Sequence, residues 1–262
     1  MPPFQLLAMT FGIAGGFGVA SWALRPGAAR ALLQPAPVWL LGVGGLFGYH
    51  ALYFAALKLA PPADASLIAY LWPLLIVLLS ATLPGERLRA RHVVGALLGF
   101  AGVLALAAGR WDGDAGHIAS SWPGYLCACA CALIWSGYSV LSRRAAAVPT
   151  DAVTGFCLAT AVLGLVCHLA VEATVWPRTG AEWLAVALNG LGPVGAAFYL
   201  WDIGVKRGDI RLLGVGSYAI PVASTLILVA AGYASATWWL ALACLLIAAG
   251  GAVATLKSDR RA

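Results

Sequence analysis

Residues 68–77 read "IAYLWPLLIV", with Tyr70, Trp72 and Pro73 set together inside an apolar run. A central β-strand rejects proline because it cannot donate to the ladder, and a water-exposed helix is broken by it. In a bilayer the segment must satisfy its own backbone, so it is a helix, and proline is tolerated where the freed groups find partners. The reading of this stretch therefore depends on the solvent around it.

Composition names that solvent. Of 262 residues, 62% are hydrophobic and 10% charged, and mean hydropathy is +0.89. Soluble domains carry about 45–50% apolar and about 25% charged residues, so no single core could hide this much apolar surface. Apolar runs long enough to cross a hydrocarbon layer of roughly 30 Å recur along the chain. They predict an all-α integral membrane protein with nine spans, at 4–24, 37–58, 62–83, 90–109, 122–143, 151–173, 181–204, 210–232 and 235–256. Residues 4–24 lack a preceding Lys or Arg and are too long for a signal-peptide core, so they count as a span.

The net charge of +6 is a matter of topology. The loops after the first, third, fifth and seventh spans, with the C-terminal tail, hold 13 of the 16 Lys and Arg residues; the other side holds Lys58, Arg110 and Arg178. That bias predicts a cytoplasmic C-terminus in an inner (plasma) membrane and removes any need for a nucleic-acid partner. All six cysteines fall within spans, so no disulfide framework is expected. Cys127, Cys129 and Cys131 alternate, and only Cys127 and Cys131 share a helix face. They read as small packing residues, and no metal or other cofactor is expected. No Walker-type loop is present, so ATP is not used directly.

A shift of 148 residues brings the halves into register. "GVGGLFGYHALYFAALK" (42–58) falls on "GLGPVGAAFYLWDIGVK" (190–206), Tyr70 on Tyr218, Pro73 on Pro221 and Gly102 on Gly250, without a gap. The expected organisation is a first repeat over 1–109, a second over 118–256 and a basic tail at 257–262. The fifth span has no counterpart in the first repeat. An odd-membered repeat must be inverted in the membrane, and nine spans with a cytoplasmic C-terminus start outside. Both points lead to the expectation that a full version carries one more N-terminal helix.

Pro73 followed by "PGER" (84–87) and the glycine-rich "GALLGFAGVLAL" (95–106) resemble the EamA-type drug/metabolite transporter superfamily. "AYLWP" (69–73), "LIWSGY" (133–138), "YLWDIGVKRGDI" (199–210) and "VGSYAIPV" (215–222) resemble more closely the YddG-type aromatic amino acid exporters. The resemblance implies ten helices in two repeats around a central cavity, exporting amino acids or related small metabolites. This chain departs from it by lacking the family's first helix.

The residues support that chemistry. Proline removes the hydrogen bond to the carbonyl four residues earlier, Ala69 for Pro73 and Ser217 for Pro221; such carbonyls can meet polar substrate groups while the kink acts as a hinge. The alternative is a static kink patched by a neighbour. Tyr49, Tyr53, Tyr70, Trp72, Trp135, Tyr138, Phe198, Trp201 and Tyr218, with Ser217, are the candidate substrate-binding set, because buried Tyr and Trp need partners or a wet cavity. Lipid-facing or packing roles compete for each. Trp111, Trp122, Trp176 and Trp183 fit interfacial belts. His50 could carry a proton or only hydrogen-bond, and Asp202 either serves the site or pairs with Lys206 one turn on. His168 is nearer an end, and Asp64 reads as a helix N-cap. The glycine pairs 12/16, 44/48 and 95/99 read as close-packing positions.

The expected function is export of aromatic or other neutral amino acids by alternating access, with a broad drug or metabolite transporter of the same superfamily as the alternative. An enzyme would need a convergent nucleophile, base or metal set, and a channel a continuous polar stripe; neither pattern is present. The partners expected are the substrate and the bilayer, and a monomer is compatible with this layout.

Overall fold

A computed structural model describes residues 1–85, 87–108, 121–233 and 235–256. Glu86 of "PGER", Arg110, Trp111 and the basic tail 257–262 lie outside the described residues. Nine helical stretches among the described residues are long and apolar enough to cross a membrane: Pro3–Leu24, Ala36–Leu59, Pro62–Thr82, Ala90–Ala108, Trp122–Arg144, Ala152–Val171, Gly180–Arg207, Ile210–Ala230 and Trp238–Thr255. The expected spans match these within a few residues; the seventh runs longer.

Four of the nine are interrupted in mid-span. In chain order the α-helices are α1 (Pro3–Ser21), α2 (Ala36–Val43), α3 (Tyr49–Leu59), α4 (Pro62–Ala69), α5 (Trp72–Leu79), α6 (Ala90–Ala108), α7 (Trp122–Arg144), α8 (Ala152–Val171), α9 (Gly180–Leu191), α10 (Ala197–Arg207), α11 (Ile210–Gly216), α12 (Ala219–Ala230) and α13 (Trp238–Thr255). A π-helical turn joins α2 to α3 at Gly44–Gly48, and another joins α9 to α10 at Gly192–Ala196. Their first residues stand 148 apart, the register of the sequence repeat. Glycine and proline supply the weak backbone at which a helix accepts the extra residue of a π turn. Gly44 has open space around its Cβ position, so it serves this turn rather than the close packing expected of it.

The chain forms two compact units, and neither coincides with a half of the sequence. One comprises Met1–Phe54 with Leu141–Gly208, the other Ala55–Val140 with Asp209–Ala262. In the first, α1 lies along α8 on small residues. A Cβ on Gly15 would sit 2.6 Å from Leu158, and one on Gly18 would meet Thr154 and the Tyr199 hydroxyl. In the second, α6 and α13 cross with backbones almost touching: a Cβ on Gly95 would lie 2.6 Å from the Gly250 carbonyl oxygen. Lipid gives no hydrophobic drive to helix pairing, so such approaches supply the dispersion contacts that hold the pair. Gly99 presses on the Tyr218 ring, within a core of Val77, Ala96, Val103, Val215, Tyr218 and Ala254.

Past α5 the chain turns at Pro84-Gly85, where Gly85 takes φ 78°. Only glycine adopts that region cheaply, which accounts for the glycine of "PGER".

Candidate functional site

The segment 68–77 is broken, not merely bent. α4 stops at Ala69 and α5 starts at Trp72, with Tyr70 and Leu71 between them in a tight turn. Pro73 occupies the first turn of α5, where its missing N–H costs nothing. The second half repeats the arrangement: α11 ends at Gly216, Ser217 and Tyr218 form the turn, and Pro221 enters the first turn of α12.

A restarted helix leaves its first N–H groups without partners inside the chain segment. One of them is met by the other break: Leu74 N–H donates to the Tyr218 hydroxyl at 3.1 Å. A Cβ on Gly214 would stand 3.0 Å from the Pro73 carbonyl, so the two breaks pack directly on one another. The Ser217 carbonyl, expected to be freed by Pro221, instead accepts Ile220 N–H at 3.1 Å, because the turn tightens to an i→i+3 bond. The Ser217 hydroxyl donates back to Leu213 O at 2.7 Å. Ser217 thus has both its polar groups engaged locally.

Beside the first break stands an aromatic group. Trp72 and Trp135 meet edge to face, with ring centroids 6.3 Å apart at 88°, and Trp135 lies 5.3 Å from Tyr138 one turn along α7. Trp72 and Trp135 are each 8% exposed. Tyr70 is half-buried against the core that holds Tyr218. The structure brings Tyr70, Trp72, Pro73, Trp135, Tyr138, Ser217 and Tyr218 into one unit.

Tyr49, Tyr53, His50, Phe198 and Trp201 belong to the other unit. Tyr49 and Tyr53 stack at 6.0 Å and 12°. The His50 ring is walled by Phe11 at 5.1 Å, Tyr49 at 5.1 Å and Phe198 at 6.1 Å. Its Nδ1 lies 2.7 Å from the Leu46 carbonyl inside the π turn. A carbonyl only accepts, so Nδ1 carries the hydrogen and Nε2 is the acceptor of the neutral ring. Phe11, which also stacks on Phe198 at 5.5 Å, gave no sequence signal, being one apolar residue in an apolar span.

Asp202 is closed off. It is 2% exposed, pairs with Lys206 Nζ at 2.8 Å and accepts from Thr150 Oγ1 at 2.7 Å, while Lys206 also reaches the Val148 carbonyl. The local pair with Lys206 is the observed arrangement, and through Thr150 the carboxylate anchors the 145–151 turn. The N-cap reading of Asp64 is corrected: it lies inside the first turn of α4, whose cap Pro61 makes no side-chain bond, and it accepts the Tyr125 hydroxyl at 2.9 Å.

One polar centre was missed by the sequence reading. Glu172 accepts the first-turn N–H groups of Phe4 and Gln5 at 3.0 and 3.1 Å, and lies 2.9 Å from His168 Nδ1. Burial opposes the charge, yet the two backbone donors and His168 hold the carboxyl below its ordinary value. The only signal was an acid four residues after a histidine at a span end. A cavity of about 490 Å³ lined by Met1, Val175, Trp176, Arg178 and Glu182 among others includes none of the expected site residues. Among the described residues no cluster of His, Cys, Asp and Glu could hold a metal ion. Cys131 is buried and Cys129 exposed.

The EamA-like transporter family matches residues 1–108 and 122–256. The aromatic amino acid exporter YddG of Ancylobacter novellus is 61% identical over 260 residues, covering 99% of this chain and 90% of that protein. The aromatic amino acid exporter YddG of Escherichia coli is 26% identical over 183 residues, covering 68% of this chain and 59% of that protein. A solved crystal structure with 61% identity superposes with a TM-score of 0.93, covering 97% of this chain and 88% of that one.

Proposed function

The chain belongs to the EamA-like transporter family, and from that premise we propose that it exports aromatic and other neutral amino acids across the inner membrane by alternating access. The observation that carries the reading is the pair of mutually packed helix breaks, with Trp72, Trp135 and Tyr138 beside the first. Discontinuous helices are where transporters expose backbone to a substrate without exposing it to lipid. The 61% identity to a named aromatic amino acid exporter supports this substrate class.

Each unit holds an aromatic set. Trp72, Trp135, Tyr138 and Tyr70 offer ring faces to an aromatic or large apolar side chain. Tyr49, Tyr53, Phe198 and Trp201 do the same in the other unit, with His50 Nε2 as a hydrogen-bond acceptor for an ammonium group. Pro73 and Pro221 mark the hinges, since each follows a turn that can absorb a change in backbone angle. The two halves are repeats of one another, supported by π turns and breaks that recur at or within a residue of the same register; their odd helix number makes the copies inverted. The C-terminus is cytoplasmic, supported by 13 of 16 basic residues falling on that side.

The test is transport by the purified protein in proteoliposomes, with labelled phenylalanine, tryptophan and leucine against a cationic dye, with and without a proton gradient. Saturable movement of the amino acids is expected. Movement of the dye alone would remove the amino acid reading.

A further inference from the structure

The residues that lead into α6 gather more hydrogen-bond donors than acceptors. His92 is 2% exposed, and a donor faces each of its ring nitrogens: Arg89 N–H lies 3.4 Å from Nδ1 and Arg91 Nε–H 3.3 Å from Nε2. A neutral imidazole accepts at one nitrogen and donates at the other. One of the two meetings therefore sets N–H against N–H, and both distances are long for hydrogen bonds. Next to them, Arg91 Nη1 is buried with no hydrogen-bond partner.

No described carboxylate meets this surplus. The charged groups facing His92 are Arg211, Arg91, Asp209 and Arg89. Asp209 is taken up by Arg211, whose Nε and Nη2 bind its two oxygens at 3.0 and 3.1 Å, and it also accepts the N–H groups of Arg211 and Leu212 as the cap of α11. Arg211 reaches on to the Arg87 carbonyl at 2.8 Å, which ties the basic loop to this corner. A buried guanidinium nitrogen without an acceptor is costly, and several convergent donors of this kind match an oxyanion.

We propose that Arg89, Arg91 and the first turn of α6 bind a phosphate group. Arg91 Nη1 supplies the unpartnered donor, the surplus N–H at His92 turns toward the anion, and the positive end of the 19-residue helix adds its dipole. The phosphate could belong to a phospholipid headgroup or be free in solution. The surface favours the headgroup: from the turn bearing Arg91, α6 presents Val94, Leu97 and Leu104, each 43–50% exposed, as a path for an acyl chain, and basic residues at a span end attract anionic lipid.

Full-length protein in neutral detergent, titrated with phosphatidylglycerol, phosphatidylcholine or sodium phosphate, tests the site, read by native mass spectrometry and by thermal midpoint. This readout is independent of which substrate is transported. Phosphatidylglycerol should bind and raise the midpoint, while Arg91→Gln and the exposed-loop variant Arg89→Gln should weaken it about tenfold. Arg30→Gln, on another basic loop, should not. Stabilisation by sodium phosphate but not by phosphatidylglycerol would uphold the phosphate site and assign it to the free ion. Equal binding of phosphatidylcholine, or undiminished phosphatidylglycerol binding by both variants, would overturn it; Arg89→Gln decides if Arg91→Gln fails to fold.

Discussion

The Tyr218 hydroxyl accepts the Leu74 N–H at 3.1 Å, so a residue in the second helix break supplies the partner that the first break left wanting. Tyr218 is fully buried, and its ring also fills the space that Gly99 leaves open. Tyr218→Phe keeps the ring and removes only the acceptor. A buried N–H then loses its partner, at a cost of about 1–3 kcal/mol. Unfolding of the detergent-solubilised protein should show that loss; an unchanged midpoint would mean water or another group serves Leu74.

The Trp72–Trp135 pair separates fold from transport only if the substitution is mild. Trp72→Ala would open a cavity at a buried position and cost about 3–5 kcal/mol, which confounds any change in transport. Trp135→Phe keeps an aromatic plane and forfeits about 0.5–1.5 kcal/mol of ring pairing. It should leave the protein monodisperse while reducing uptake of labelled tryptophan. Wild-type transport in this variant would move the substrate wall away from Trp135.

Two glycines give opposite outcomes for the same change. Gly95→Ala places a methyl 2.6 Å from the Gly250 carbonyl, a backbone atom that cannot swing away. Overpacking of that kind costs about 1–3 kcal/mol. Gly16 has nothing within 4 Å of its Cβ position and lies inside α1. Gly16→Ala should therefore be neutral or stabilising by about 0.4–1 kcal/mol, through the unfolded chain. Thermal midpoints of the two variants should move apart; a matching fall would contradict the packing described.

Acid should loosen the tie between Glu172 and the start of α1. Burial alone would raise its pKa, but the Phe4 and Gln5 N–H groups and His168 depress it below the ordinary 4.5. A carboxyl depressed by folding contributes stability that is complete above the unfolded value and is lost as pH falls through the lower folded value. Glu172→Gln removes the charge at all pH values. The stability gap between wild type and variant should be widest near neutrality and close below pH 4.5. A gap of constant size from pH 7 to 3 would rule out this linkage.

Much of the architecture was legible in the chain. The spans follow from apolar length, and the second proline at Pro221 announced that the kink expected at Pro73 has a counterpart. Tyr49 over Tyr53 follows from helical spacing. The corrections have a common cause. Asp64, the Ser217 carbonyl and Gly44 were each assigned from the local pattern, whereas their partners are Tyr125, a tightened turn and a π-helical widening. Glu172 escaped notice because its partners, Phe4 and Gln5, lie more than 160 residues away.

By itself the sequence determined the solvent, the approximate bounds of the described spans and the spacing at which Tyr70 and Pro73 recur as Tyr218 and Pro221. These are properties of composition and spacing, and a bilayer enforces them segment by segment because every backbone group must be satisfied where it lies. Only the tertiary structure decided which helices share a unit, that α4 and α5 are separate helices, and that Tyr218 completes the turn at "IAYLWPLLIV". Those outcomes depend on which distant side chain reaches an orphaned donor, and on where two glycines let backbones meet. Neither is written in any local stretch of the chain.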